Sequence, residues 1–568
     1  MRYYALATDY DGTLATDGRV DESTLDALKR LRNSGRRLIL VTGRELEDLL
    51  RAFPQIDLFE RVVAENGALL YRPATRETKL LAAPPPERFA QTLRDRGVAP
   101  LSVGRVVVAT WTPHEKRVLD VIRELGLELQ VIFNKGAVMV LPSGVNKATG
   151  FAAALDELGL SPHNAVGVGD AENDHAFLNL CECSVAVANA LPALKEQADW
   201  ITSGSRGAGV TELIDRLLAS DLAELPLQRH EVVLGRRVDE AEVRLKPYGA
   251  SVLIAGTSGG GKSTLATGFL ERLSEQGYQF CIIDPEGDYQ NFERAVVLGN
   301  PSRAPTVEEA TQLLEKPNQN AVINLLGVAR ESRPSYFEGL LAAIMALRAR
   351  TGRPHWIVID ETHHLLPSSW APALLTVPKE LQGFLLITVH PDHVAPAVLT
   401  SVDLVIAIGS TPQETFRAFS ETLGERTPSV PSAPLQRGEA IAWWRRTTSE
   451  PFWFRSIPPR MERLRHLRKY AEGELPPDRS FYFRGPNGKL NLRAQNLIFF
   501  LQLAEGIDDE TWLYHLRRGD YSRWFRQMIK DDQLAADAAG VEAAGDLTAK
   551  ESRARIREKV EARYTLPA

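Results

Sequence analysis

The sequence predicts an α/β protein with more than one domain. Two apolar segments, residues 3–8 and 251–255, each run into a glycine-containing polar turn that a helical pattern follows. Strand, helix and strand in this order indicate parallel sheets with right-handed crossovers. The 568 residues exceed what one hydrophobic core usually covers and correspond to about three or four domains. We therefore expect two separate α/β domains with polar residues at the carboxyl ends of their strands.

The composition is that of an ordinary globular protein. Apolar residues make up 44% and charged residues 25% of the chain, and the net charge is −6. The sequence has no run of ~20 apolar residues and no signal-peptide core before Asp9, so we expect a cytoplasmic protein. The acidic balance argues against general attraction to nucleic acid. The three cysteines, Cys181, Cys183 and Cys281, are expected to be small buried residues.

The first α/β segment places two carboxylates, Asp9 and Asp11, where its opening strand ends. Gly12 supplies the turn, a helix is expected up to Gly35, and a second strand over residues 37–41 leads to Thr42. Two carboxylates so close together repel each other and an incoming phosphate. A hard divalent cation with oxygen ligands would offset that repulsion.

Further residues for such a site follow a later apolar strand. Asp170 and Asp174 supply additional carboxylates, and Lys147 can hold a phosphoryl oxygen as a point charge. The residue types that metal-assisted attack of a carboxylate on phosphorus requires are therefore all present. Asp-rich turns also cap helices, so each segment alone is a weak signal and the four in order are a strong one.

These four segments in this order resemble the haloacid dehalogenase superfamily of phosphatases, over about residues 1–218, and are similar to its sugar-phosphatase branch. The resemblance implies a Rossmann-like core, magnesium as cofactor and a small phosphorylated metabolite as substrate, with a sugar phosphate favoured. It also implies Asp9 as the nucleophile that forms an aspartyl-phosphate and Asp11 as general acid and then base. Thr42 and Lys147 would bind the phosphate. The implied metal-site residues are Asp9, Asp11 and Asp170, with Asp174 supporting them.

The implied core comprises residues 1–72 and 145–218, and residues 73–144 between them resemble the family's inserted α/β cap domain. Caps exclude water and select the leaving group, so we expect substrate specificity to lie there. The candidate contacts are Asn66-Gly67 in the core and Asn134-Lys135 in the cap. Both pairs equally fit turns, which is the favoured interpretation.

The second α/β segment contains a glycine-rich loop between a buried strand and a helix that starts at Lys262 or Ser263. The loop glycines let backbone N–H groups converge on phosphate oxygens, Lys262 reaches the outer phosphates, and Ser263 can ligate magnesium. The sequence therefore predicts a P-loop that binds ATP with Mg²⁺. Its binding residues are Gly256, Gly259, Gly260, Gly261, Lys262, Ser263 and Thr264.

ATP hydrolysis needs a second acidic strand end, and Asp360-Glu361 follows an apolar strand. As in ATPases with this acidic pair, Asp360 would hold magnesium through water and Glu361 would polarise the attacking water. A further strand places Thr388 or His390 as a sensor of the γ-phosphate. His363 and its neighbour His364 are expected to be structural rather than metal ligands.

Residues 282–289 and the broader layout of residues 249–460 resemble HerA and FtsK type ATPases. The resemblance implies a ring-forming homo-oligomer, conceivably a hexamer, whose site is completed by an arginine of the neighbouring subunit. Arg330, Arg333 and Arg426 are the candidates. We assign residues 219–248 to a connector or small β-rich lead-in, and 249–469 to the ATPase domain.

The rest of the chain is expected to be helical, with a small domain over residues 470–540 and a tail over 541–568. Before it, residues 445–469 combine arginines with nearby aromatic residues. Proteins that bind single-stranded nucleic acid use arginine and aromatic side chains together. The same composition is also typical of an edge strand followed by a solvated basic helix. The structural interpretation is favoured.

Three hypotheses on function follow. The first is a bifunctional protein that joins a magnesium-dependent phosphatase to an ATP-hydrolysing P-loop domain. The alternative is a HerA-like motor that acts on nucleic acid, with the phosphatase-like domain processing ends or serving as a sensor; the net acidity speaks against it. In the third, ATP occupancy gates the phosphatase, so its rate would change with a non-hydrolysable nucleotide.

Overall fold

The structure is a computed structural model that describes residues 1–257, 260–369, 382–430, 435–436, 438–447, 450–460, 475, 477, 479–529 and 531–564. It divides into two compact units, Met1–Ile457 and Pro458–Ala568. In the described part of the chain, every helix is too short or too polar to cross a membrane.

The first unit opens with strands and helices whose apolar side chains are almost completely buried, as expected for a sheet covered on both faces. The elements are β1 (Ala5–Thr8), α1 (Glu22–Asn33), β2 (Arg37–Val41), α2 (Leu46–Ala52), β3 (Arg61–Ala64), β4 (Leu69–Arg72) and β5 (Glu77–Leu80). Strands β1 to β3 pair in parallel, and β4 and β5 add an antiparallel edge.

A smaller antiparallel sheet follows, with order β6-β7-β9-β8. Its elements are α3 (Glu87–Asp95), β6 (Ser102–Val103), β7 (Val108–Trp111), α4 (Glu115–Glu124), β8 (Leu129–Asn134) and β9 (Ala137–Pro142). Apolar residues at helical spacing on α3 and α4, such as Phe89, Leu93 and Val118, form a separate core with this sheet. This layer lies within the predicted cap segment 73–144, of which β5 belongs to the first sheet.

The chain then returns to the first sheet and completes it in the order β12-β11-β10-β1-β2-β3-β4-β5. The elements are α5 (Lys147–Leu158), β10 (Ala165–Gly169), α6 (His175–Leu180), β11 (Cys183–Ala186), α7 (Pro192–Gln197), β12 (Trp200–Ile201) and α8 (Gly207–Ser220). Strand β10 pairs in parallel with β1, and Thr8 lies opposite Val168. Asp9 and Asp170 therefore emerge at the same edge of the sheet.

The second sheet of this unit has the order β14-β13-β23-β22-β21-β15-β20-β19-β16-β18-β17. It is parallel from β21 to β17, and the predicted lead-in segment forms the antiparallel pair β13 and β14 at one edge. The elements are β13 (Val232–Arg236), β14 (Glu242–Leu245), β15 (Ser251–Gly256), α9 (Lys262–Glu275), β16 (Phe280–Asp284), β17 (Val296–Leu298), α10 (Val307–Leu314), β18 (Ala321–Asn324), α11 (Arg333–Thr351), β19 (Trp356–Ile359), α12 (Thr362–Leu365), β20 (Phe384–Thr388), α13 (Pro396–Leu399), β21 (Leu404–Ile408), α14 (Pro412–Leu423), β22 (Glu439–Trp444) and β23 (Phe452–Ser456).

The second unit is mainly helical, as predicted, and has its own aromatic-rich core. Its elements are β24 (Phe481–Phe483), β25 (Leu492–Ala494), α15 (Leu497–Gly506), α16 (Asp509–Arg517), α17 (Asp520–Trp524), a π-helical turn (Phe525–Ile529), α18 (Asp532–Ala543) and α19 (Ala549–Tyr564). The last helix packs onto this core, where the indole N–H of Trp512 donates to Ser552 Oγ over 2.8 Å. The predicted α/β fold class with a helical C-terminal domain is therefore confirmed.

Candidate active sites

The first site forms where β1 and β10 end side by side. Asp9 is buried directly after β1, and Lys147, at the start of α5, approaches it from the other side. The Lys147 ammonium lies 2.5 Å from Asp9 Oδ1 and 2.6 Å from Asp174 Oδ1. The structure thus brings together three residues that are far apart in the sequence.

Asp170 and Asp174 are held by short-range contacts. Asp174 Oδ2 accepts the backbone N–H groups of Asp170 and Ala171, over 2.8 and 2.9 Å. The Thr13 hydroxyl donates to Asp170 Oδ1 over 3.1 Å. Both carboxylates therefore have fixed positions before any ligand binds, which is what a preorganised site requires.

The negative charges of three neighbouring carboxylates suit a divalent cation. Asp9, Asp170 and Asp174 each offer an oxygen atom, and these atoms lie within 4.8 Å of one another. Burial raises the pKa of Asp9 to about 8, and the charges of Asp174 and Asp170 add to that rise while Lys147 opposes it. A cation bound between the carboxylates would remove this repulsion. The oxygen-only donor set fits Mg²⁺.

Asp11 lies at the mouth of the site and outside the group of three carboxylates. Arg44 binds both of its oxygen atoms over 2.6 Å and also reaches Asp48 over 2.6 Å. Thr42 is buried, and its hydroxyl oxygen accepts the Arg44 N–H over 3.1 Å. The sequence pattern alone gave Arg44 no role, because its partner Asp11 is brought close by the parallel pairing of β1 with β2 rather than by local spacing.

The smaller sheet contributes one lysine to this site. Lys135 lies in the turn between β8 and β9 at a φ of 47°, as a turn residue would, and its ammonium is 2.5 Å from Asp170 Oδ2. The pair Asn66-Gly67 also forms a tight turn, and Asn66 Oδ1 accepts from the Asn173 side chain over 3.0 Å. Asn134-Lys135 and Asn66-Gly67 therefore both form turns, and both turns lie next to the site.

Glu65 joins the first sheet to the smaller one. It is completely buried, and its carboxylate accepts the backbone N–H groups of Arg105, Val106 and Val107 over 2.9, 2.7 and 2.9 Å. Glu65 directly follows β3, and its left-handed φ of 52° ends the extended backbone of that strand. Sequence reasoning missed this residue, because nothing around position 65 indicates a partner some 40 residues away.

Replacing Glu65 by Gln should loosen the attachment of the smaller sheet. An amide group would turn a donor towards backbone N–H groups, and each buried unsatisfied N–H costs about 1–3 kcal/mol. We expect faster hydrogen exchange at the amides of residues 105–107 and a raised KM for phosphomonoesters. The control is Glu47→Gln, because Glu47 pairs with the exposed Arg105 side chain at the same place. Equal exchange rates in the two variants would contradict this role.

The second site forms where β15 runs into α9. Lys262 is buried, and its ammonium donates to the carbonyl oxygens of Gly256 and Thr257 over 3.1 and 3.2 Å. Gly256 and Gly261 have φ angles of 146° and 103°, and a Cβ on Gly256 would lie 1.8 Å from the Ile408 oxygen. Only glycine fits there. Gly260, Ser263 and Thr264 are in place beside Lys262, and the predicted Gly259 lies outside the described residues.

The predicted acidic pair, Asp360-Glu361, follows β19, and one strand, β20, lies between β19 and the P-loop strand β15. Asp360 is buried, which raises its pKa to about 7, and Glu361 has a φ of 41°. Burial lowers the pKa of Lys262, and Glu361 and Asp360 oppose that effect, so these charges interact across the site. His363 Nδ1 lies 3.1 Å from Thr388 Oγ1 and 3.5 Å from Glu361 Oε2. The histidine thus links the acidic pair to the predicted sensor strand.

The described part of the basic and aromatic segment is structural. The Arg445 guanidinium donates to the carbonyl oxygens of Leu399 and Val402 and pairs with Glu425 over 2.5 Å. Phe454 is fully buried in β23. Residues 461–469 of the predicted segment lie outside the described residues. A strand is present as predicted, but the prediction of an edge strand is wrong, because β23 pairs with β13 on one side and with β22 on the other. These contacts favour no nucleic-acid site in the described part.

The first site has known relatives. Residues 6–93 and 110–214 match the family model of haloacid dehalogenase-like hydrolases. A phosphoglycolate phosphatase of Methanothermobacter thermautotrophicus is 30% identical over 226 residues, 38% of this chain and 98% of its own length. A phosphoglycolate phosphatase of Halorubrum lacusprofundi is 32% identical over 211 residues, 35% of this chain and 91% of its own. A solved haloacid dehalogenase-like hydrolase from Bacteroides thetaiotaomicron aligns at 19% identity and a TM-score of 0.32, over 38% of this chain and 99% of its own.

The second site matches a different family. Residues 232–333, which include the P-loop and strands β13 to β18, match the model described as the central domain of helicase HerA. The two matched regions follow one another without overlap. Through residues 6–214 the chain belongs to the haloacid dehalogenase-like hydrolases, and it joins a phosphatase domain of that family to a HerA-type ATPase domain.

Proposed function

We propose that the protein is a bifunctional enzyme in which a magnesium-dependent phosphatase of a small metabolite is fused to an ATPase. The observation that supports the first activity best is the contact of Lys147 with both Asp9 and Asp174 at the ends of two parallel strands. In this proposal residues 1–72 and 145–218 form the phosphatase core and residues 73–144 its cap.

Each residue of the phosphatase site has a defined task in this proposal. Asp9 attacks phosphorus and forms an aspartyl-phosphate; Asp11 protonates the leaving group and then takes a proton from the attacking water. Lys147 and Thr42 hold the phosphoryl oxygens, and Arg44 keeps Asp11 at the mouth of the site. Asp9 and Asp170, supported by Asp174, would hold Mg²⁺, which neutralises charge between the carboxylates and the substrate.

The substrate is proposed to be 2-phosphoglycolate, with sugar phosphates as the second candidate. The names of the two relatives motivate the first choice. Lys135 supports it, because a divalent cation on Asp170 would compete with this ammonium for the carboxylate charge and weaken their pairing. Once the cation is bound, the Lys135 ammonium is free to pair with a carboxylate of the substrate.

A substrate panel with Lys135→Met tests this proposal. With Mg²⁺ present, we expect hydrolysis of 2-phosphoglycolate and a KM that rises about tenfold in the variant, because a charge-assisted hydrogen bond is worth about 1.5–3 kcal/mol. The KM for an aryl or sugar phosphate that carries no carboxylate should change by less than about twofold. The control is Lys116→Met, an exposed lysine on α4.

Two outcomes would contradict the proposal at different levels. If no phosphomonoester among sugar, glycolyl and nucleotide phosphates is hydrolysed with Mg²⁺, the phosphatase assignment fails. If Lys135→Met raises the KM of all substrates equally, the phosphatase stands and the role of Lys135 in choosing a carboxylate is wrong.

For the ATPase we propose that Lys262, Ser263 and Asp360 bind Mg-ATP and that Glu361 activates water. The support is the arrangement of P-loop and acidic pair on β15 and β19 with β20 between them. A ring of subunits would supply an arginine in trans. Arg330 and Arg426 are exposed and fit that task, whereas Arg333 is buried and its Nε donates to the Val328 oxygen over 3.2 Å.

A further inference from the structure

A cluster of polar residues lies where the phosphatase and ATPase domains of the first unit meet. His163 and Glu182 are buried just before β10 and β11, and His230 lies just before β13 in the connecting segment. Tyr278, which precedes β16 of the ATPase sheet, stacks on His163 with ring centroids 3.7 Å apart. None of these residues belongs to either active site.

Both histidines direct a ring nitrogen at the same carboxylate. His163 Nδ1 lies 2.7 Å and His230 Nε2 lies 3.9 Å from Glu182 Oε2. One ligand atom from each of the three residues lies within 4.8 Å of the others. The two imidazole rings are nearly perpendicular, at 88°. The three donors therefore converge on one small volume from different directions.

The protons of the two rings are directed away from this volume. His163 Nε2 lies 2.7 Å from the carbonyl oxygen of Gln276, to which it donates its proton. The Cys181 carbonyl acts as a hydrogen-bond acceptor for the His230 ring, and since His230 Nε2 has no partner among the described residues, that proton is on Nδ1. Metal-bound histidines characteristically donate their second ring N–H to a backbone carbonyl or carboxylate in this way.

One buried nitrogen atom of the cluster has no hydrogen-bond partner among the described residues. This atom, His230 Nε2, faces Glu182 Oε2, which already contacts His163 Nδ1 and accepts from the Tyr278 hydroxyl.

A cavity beside the cluster gives a cation access to the donor atoms. The cavity, of about 360 Å³, is lined by Arg2, Glu182, His230 and Tyr248 among others and has room for water. The Tyr278 hydroxyl lies 2.6 Å from Glu182 Oε2. Arg2 pairs with the other carboxylate oxygen, Oε1, and Oε2 is the oxygen atom that faces both histidines.

We propose that His163, Glu182 and His230 bind a zinc ion, separate from the magnesium site at Asp9. Two imidazoles and one carboxylate, with a fourth position for water, form a donor set that zinc prefers and magnesium does not. The ion would tie the connecting segment, through His230, to the phosphatase core directly beside the ATPase domain. It would thus act as a structural clamp at the junction.

Metal analysis of the full chain tests this proposal independently of either activity. Protein stripped with a chelator is dialysed against Zn²⁺ with excess Mg²⁺ present, and the bound zinc is measured by mass spectrometry. We expect one zinc ion per chain and a weakening of about tenfold or more in His163→Ala and His230→Ala. Co²⁺ in place of zinc should give the intense visible bands of a four-coordinate site in the wild type and not in the two variants.

A second group of histidines provides the matched control. His363, His390 and His393 lie near one another in the ATPase domain, and His393 is exposed. Zinc binding should be unchanged in His393→Ala. Retention of zinc by His163→Ala and His230→Ala, or its loss in His393→Ala instead, would overturn the proposal. His230→Gln, which keeps a neutral polar side chain, covers the case in which an alanine variant fails to fold, because it too should lose zinc.

Discussion

Replacing Asp9 by Asn is expected to lower phosphatase activity by at least about 10³-fold, because an amide nitrogen or oxygen cannot replace the attacking carboxylate. ATP hydrolysis should stay at the wild-type rate. The substitution keeps the size of a side chain that is fully enclosed by the site and contacts Lys147. The measurement is phosphate release from 2-phosphoglycolate and from ATP on the same preparation.

The control for this experiment is Asp26→Asn, an exposed aspartate of the same domain that pairs only with Lys29 among the described residues. It should leave both activities unchanged. If Asp9→Asn were folded, as judged by an unaltered ATPase rate and melting temperature, and still released phosphate at more than about a tenth of the wild-type rate, Asp9 would not be the nucleophile.

Replacing Lys262 by Ala should have the reverse effect. Lys262 is the ammonium held inside the P-loop, and its loss removes the positive charge that the outer phosphates of ATP require. We expect ATP hydrolysis to fall by about 10²-fold or more and phosphatase activity to be retained. The measurement is the ATPase rate together with nucleotide affinity.

Lys316→Ala is the matched control for Lys262, since it removes an exposed lysine of the same domain. A full ATPase rate in Lys262→Ala would show that the nucleotide is hydrolysed elsewhere. Loss of phosphatase activity in the same variant would show instead that nucleotide binding gates the phosphatase.

The contacts between the phosphatase and ATPase domains bear on whether the two active sites are coupled. His163 and His355 meet there with ring centroids 5.7 Å apart, and Asn164 Oδ1 lies 3.2 Å from His355 Nε2. These residues precede β10 and β19, whereas Asp170 and Asp360 follow the opposite ends of the same strands. The two sites share no residue and lie at the far ends of strands whose near ends meet at the junction.

Much of both sites could be predicted from the sequence because their residues lie in short local patterns at strand ends. Asp9 and Asp170 directly follow runs of apolar residues that form buried strands, and Lys262 follows such a strand after a glycine-rich loop, so local patterns are enough to place them. The parallel order of the strands then brings them to one edge of each sheet.

The residues that sequence reasoning missed depend on partners from other elements. Glu65 finds its partners in the smaller sheet, and Arg44 is fixed by Asp11 on a neighbouring strand end. The two short strands of the C-terminal unit were also missed, since β24 and β25 have only three residues each and no clear alternation. Such contacts follow from tertiary packing, which spacing in the sequence does not encode.

The claim that one chain carries two independent phosphate-handling sites is tested most directly in a single tube. Wild type, Asp9→Asn and Lys262→Ala are each supplied with unlabelled 2-phosphoglycolate and with ATP labelled at the γ-phosphate, and glycolate and labelled phosphate are quantified separately. We predict both products from the wild type, only labelled phosphate from Asp9→Asn, and only glycolate from Lys262→Ala. Loss of both products through either single substitution, in a protein that remains folded, would contradict the claim.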